Sequence, residues 1–194
     1  MSGLRAAAIG MFMTAASWCA ATPTYAMGAP ATVQVSIAVC DADHMVPSLL
    51  DTAERVAYDA YLEIGVAIEW MNACGIDESG LSVNVISRQA TSVEVSDVTL
   101  GFAEPGASAA TVLYDRVDAF AHRYHIKREI LLGYVMAHEL GHLLLPPHSH
   151  SPAGVMRATI DLELASAQKL RFTHDQGALI VRKIEGSPIA VATH

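Results

Sequence analysis

The sequence predicts an α/β fold, a twisted mixed sheet of about five strands followed by a helical carboxy-terminal half. Three observations carry this expectation. Apolar runs with a two-residue period recur between Val33 and Tyr114. The first two runs are separated by a stretch of helical period, long enough for the crossover that parallel strands require. From Asp115 onward the strand period gives way to a helical one.

Taken in order, Val33, Val35, Ile37 and Val39 alternate with Gln34, Ser36 and Ala38, which marks a first strand. Asp41 to Pro47 reads as a turn, with Pro47 placed for the first turn of a helix that runs through Leu49, Leu50, Ala53, Val56, Ala57, Tyr61 and Ile64 and stops at Gly65. Val66 to Met71 is the second strand, so the opening is β-α-β. Leu81 to Ser87, Val98 to Ala103 and Ala110 to Tyr114 complete the strands; Glu104-Pro105-Gly106 is a turn, which leaves the last two either antiparallel or flanking an exposed loop. Helices are expected from Asp115 through Phe120, from Arg128 to Leu144, from Asp161 to Leu170 and from Thr173 to Ile184. Pro146-Pro147 ends the second of these, and Thr173 with Gln176 three residues on fits a capping box for the last.

The chain has 194 residues, 52% hydrophobic and 16% charged, which suits one globular domain over 27–194. A net charge of -8 disfavours nucleic acid and anionic membrane surfaces as partners, because there is no basic field to displace their counterions. At the amino terminus Arg5 precedes the apolar run Ala6 to Ala21, and Thr24-Tyr25-Ala26 supplies small residues at the cleavage positions of a secretory signal, so residues 1–26 are read as a signal peptide and the mature chain as secreted or periplasmic. Cys19 leaves with that segment. Cys40 and Cys74 then mature where disulfides form, and on their residues alone they are either a bridge or two buried thiols.

The chemistry concentrates in His138-Glu139-Leu140-Gly141-His142. Residues four apart on a helix share a face, so His138 and His142 can present two imidazole nitrogens to one zinc ion. Glu139 is the candidate general base, a carboxylate able to take a proton from water and pass it to a leaving amine. A third ligand is needed, and the candidates are His148, its rival His150, and Glu163 on a later helix.

The spacing from His138 to His148 resembles the metzincin pattern His-Glu-x-x-His-x-x-Gly-x-x-His. Ser151-Pro152-Ala153-Gly154-Val155-Met156 is similar to the Met-turn of that family, with Met156 as a hydrophobic floor below the ligands. The resemblance spans about Val33 to Ile184 in element order, but only His138 to Met156 is specific. It implies a zincin-like fold, one catalytic zinc ion and a zinc-dependent endopeptidase acting on peptides or proteins. It also implies an edge strand over Val98 to Ala103 that pairs with extended substrate. One departure stands out: Leu145 replaces the family's glycine, so the choice between His148 and His150 depends on how Leu145-Pro146-Pro147 turns. Two other readings stay open, an inactive zinc- or peptide-binding module and a gluzincin-type peptidase that uses Glu163. With the family's strand arrangement, Cys40 and Cys74 follow the carboxy ends of neighbouring strands and are expected to form a disulfide.

Overall fold

A computed structural model describes residues 33–42, 45–74, 80–87, 96, 98–104 and 106–187. The expected signal segment lies outside them. Among the described residues no helix is long and apolar enough to cross a membrane.

Five strands form one mixed sheet in the order β2-β1-β3-β5-β4. The strands are β1 (Val33–Asp41), β2 (Val66–Asn72), β3 (Ser82–Ile86), β4 (Gly101–Ala103) and β5 (Ala109–Leu113). β1 lies between β2 and β3 and is parallel to both, with Val35 opposite Ile68 and Val39 opposite Val83. β3 and β5 are also parallel, whereas β4 runs antiparallel to β5 and forms the sheet edge.

The alternation expected of β1 is hidden in the structure, because Ser36 and Ala38 are buried as well as Val35, Ile37 and Val39. A central parallel strand is covered on both faces. Ser36 tolerates this because its hydroxyl donates to Glu69 Oε2 on β2, 3.1 Å away.

Helix α1 (Pro47–Leu62) is the β1–β2 crossover. Proline opens it, where a missing amide proton leaves no intrahelical bond unmade, and Gly65 at φ 82° lets the chain reverse into β2. Leu49, Leu50, Ala53, Val56, Ala57, Ala60 and Tyr61 make its buried stripe. It packs against α3 (Arg128–Leu144), the helix that carries the histidine pair. At the crossing Gly133 has no side chain because a Cβ there would come within 2.5 Å of Ala53 O. Buried Tyr61 donates its hydroxyl to Ala137 O at 3.1 Å, which anchors α3 at the residue before His138. The Cys40–Cys74 disulfide joins the ends of the neighbouring strands β1 and β2.

Two expected elements are shorter in the structure. The strand over Val98 to Ala103 contracts to Gly101–Ala103: Val98 is 80% exposed, and the lead-in is a turn in which Thr99 N–H donates to Ser96 O. Arg116, on α2 (Tyr114–Tyr124), holds that turn by donating to the carbonyls of Ser96 and Thr99. The helix over Asp161 to Leu170 contracts to α4 (Leu162–Ser166), because the chain turns left-handed at Gln168. The final helix, α5 (His174–Glu185), starts on Thr173 with the reciprocal capping box to Gln176.

Candidate metal centre

α3 is apolar around most of its circumference, so Glu139 is buried against protein while His138 and His142 are half-buried. His138 and His142, one turn apart, have their rings edge to face with centroids 4.7 Å apart and Nε2 atoms 3.1 Å apart. His138 Nδ1 lies 2.8 Å from Val155 O. A carbonyl only accepts, so Nδ1 carries the proton and the Nε2 lone pair faces His142. When His142 donates Nδ1–H to Ser149 Oγ, 3.4 Å away, its own lone pair points to the same place.

His150 completes the group, with its ring centroid 5.3 Å from that of His138 and 4.8 Å from that of His142. One ligand atom from each of the three lies within 4.8 Å of the others, and among the described residues this is the group able to hold a metal ion. His148 is not part of it. The cause is the turn after α3. Leu145 precedes proline, which excludes helical geometry, and it is extended (φ -102°, ψ 160°) and buried. With no glycine at 145 the left-handed step falls later, on His148 itself at φ 62°. His148 is left exposed and the chain delivers His150 to the other two. Glu163 stands exposed on α4, outside the group.

The His138–His142 pair fits a metal ion, and His150 stands close enough to join it. Two imidazole nitrogens each about 2.0–2.1 Å from a tetrahedral ion stand roughly 3.3 Å apart, near the spacing of the His138 and His142 nitrogens. Burial lowers the pKa of both rings, that of His142 to about 4 with further lowering by the neighbouring histidines. Both are therefore neutral near pH 7, the state a ligand requires.

Glu139 is only 6% exposed, and burial pushes its carboxyl up to about 8. It lies beneath β4 in close contact with Gly101. The loop beyond the histidines forms the underside of the centre. Gly154 turns at φ 81°, Val155 N–H donates to Arg171 O, and Met156 is fully buried below the helix. A methyl group on Gly141 would overlap Met156 Sδ, so the glycine inside the histidine motif makes room for the sulfur.

Sequence reasoning missed three participants. Val155 acts through its carbonyl, which no side chain advertises, and Ser149 is a polar loop residue without a spacing signature. Gly101 did carry a signal, since glycine inside a strand marks a close approach. His122 and His125 are exposed on or beside α2, and Arg157 pairs with Asp161 at 3.5 Å.

No family model matches the chain, and no curated protein matches it. Solved structures of similar shape include an archaemetzincin from Methanopyrus kandleri, 18% identical over 80% of this chain and 98% of that one, with a TM-score of 0.48. A zinc-dependent peptidase from Methanocorpusculum labreanum is 16% identical over 74% of this chain and 99% of that one, with a TM-score of 0.47. An archaemetzincin from Archaeoglobus fulgidus, complexed with malonate, is 14% identical over 74% of this chain and 99% of that one, with a TM-score of 0.45. At such identities and scores, the function of this chain has to be read from its own residues.

Proposed function

We propose that this chain is an exported zinc-dependent endopeptidase in which His138, His142 and His150 hold one zinc ion and Glu139 is the general base. The observation that carries this reading is the convergence of three imidazoles, two of them on the helix that also carries the buried Glu139. A structural zinc site is closed by four protein ligands, whereas a catalytic one keeps a position open. Among the described residues the group contains three ligands.

Zinc, when bound, supplies Lewis acidity toward a carbonyl oxygen and lowers the pKa of water. The protein's own residues do the rest. Val155 O fixes the His138 tautomer, Ser149 orients His142, and Met156 forms the floor that a Met-turn provides. Glu139 accepts a proton from the attacking water and returns it to the leaving amine. Burial alone holds the carboxyl protonated near pH 7, and a cation in the histidine group would lower its pKa toward the ionised form that can accept a proton. β4 is an edge strand beside Glu139, so an extended peptide can add to the sheet there by backbone hydrogen bonds. Export is supported by the apolar amino terminus and by the Cys40–Cys74 disulfide, which belongs in an oxidising compartment.

The test is zinc content and cleavage of a diverse peptide library by wild type and Glu139→Gln. One zinc per chain in both proteins is expected, with kcat at least about 100-fold lower in the variant. Cleavage that is unaltered by the substitution, or a wild type that binds zinc and cleaves nothing, rejects the reading.

A further inference from the structure

Glycine at position 101 has a specific spatial consequence. Gly101 is the first residue of β4, is paired with Val112 of β5, and has no positive φ that would call for glycine on backbone grounds. The demand for glycine comes from its neighbours. A Cβ at this position would lie 2.7 Å from Glu139 Cγ, 2.9 Å from Glu139 Oε1 and 2.9 Å from Thr111 O. Real Cβ atoms do not approach heavy atoms so closely, so two of the three nearest obstacles belong to one side chain, that of the buried carboxylate on α3.

β4 is held firmly enough for this contact to matter. Leu113 N–H donates to Leu100 O at 2.8 Å, immediately before Gly101, and Arg116 fixes the preceding turn through Ser96 O and Thr99 O. On the other side α3 is tied down by Tyr61 at Ala137 O and by the close approach of Gly133 to α1. Glu139 is thus confined between two elements whose separation is set elsewhere.

We infer that Gly101 is a positioning residue for Glu139: its bare backbone creates the slot in which the carboxylate stands against the edge strand. This rests on the proposed role of Glu139, but the steric coupling is independent of chemistry and can be measured without metal. A side chain at 101 would push the carboxylate out of the slot and leave the histidine group intact. Proton transfer suffers from such a displacement far more than zinc binding does, since a misplacement of about 1 Å costs up to ~100-fold in rate.

A double-mutant cycle tests this with wild type, Gly101→Ala, Glu139→Ala and the double variant of the full chain. Unfolding midpoints are read on zinc-stripped protein, and zinc content and peptide turnover on the loaded protein. Gly101→Ala is expected to lower the midpoint by on the order of 5 °C in the wild-type background and by less than half as much beside Glu139→Ala, where the slot is empty. All four proteins should bind one zinc, and kcat in Gly101→Ala should fall ~10–100-fold with KM within about twofold. Equal midpoint losses in both backgrounds would overturn the inference, because the obstacle would then be Thr111 O. If Gly101→Ala does not fold, the double variant decides: a folded double variant supports the slot, and an unfolded one rejects it. A wild type that cleaves no peptide rejects the peptidase reading while the metal-free cycle still reports on the slot.

Discussion

At the scale of single residues, two positions separate His150, which joins the candidate metal group, from His148, which does not. Proline at 146 forces Leu145 to stay extended, the left-handed step moves to His148, and the imidazole that reaches the centre is that of His150. His150→Ala should therefore weaken zinc binding at least about 100-fold, whereas His148→Ala should leave it within about threefold; competition with a chromophoric chelator measures both. The reverse ranking would mean that the loop reorganises around the metal. Leu145→Gly would not by itself recruit His148, because Pro146 still biases that residue toward extended geometry. The pairing of His138 with His142 was legible from sequence alone because a helix places residues four apart on one face. The third histidine was not, since its position depends on a loop whose direction is set by two prolines and one positive φ.

At the scale of elements, α1 both links β1 to β2 and braces α3. It contains Glu54, whose Oε1 is buried without a hydrogen-bond partner among the described residues; burial, and secondarily the charge of Asp51, pushes its carboxyl up to about 7. A carboxyl whose folded pKa is raised above 4.5 contributes most to stability below pH 4.5 and loses that contribution as the pH rises through 7. Wild type should accordingly lose stability relative to Glu54→Gln between pH 4.5 and 7, with the difference levelling off above; denaturant melts of the two proteins across that range show it. A difference independent of pH would mean that Glu54 is solvated. Element boundaries reveal what sequence patterns can resolve. α3 spans Arg128–Leu144 as its apolar stripe and the following prolines predict, and the capping box on Thr173 opens α5 at the expected residue. β4 is shorter than its apolar run because tertiary bonds from Arg116 bend the chain before Gly101, and α4 ends early on the backbone conformation of one exposed glutamine.

At the scale of the whole molecule, the Cys40–Cys74 bridge closes a segment of sequence separation 34 that includes α1 and β2. Closing a loop of that length restricts the unfolded chain by about 3–4 kcal/mol, so reduction under native conditions should lower stability by that order, read as a shift of the urea midpoint with and without reductant. Little or no shift would indicate that the reduced unfolded state is already restricted. The sequence by itself determined the order of strands and helices, the β-α-β opening, and the helix that bears His138, Glu139 and His142. All of these are written in local periodicity, capping and proline placement, which act over a few residues. The tertiary structure decided that β1 is covered on both faces, that β4 is an edge strand lying over Glu139, that Val155 O orients His138, and that His150 joins the metal group in place of His148. Those outcomes depend on contacts between segments distant in sequence and on a backbone turn without side-chain signature, and so they emerge only when the chain is packed.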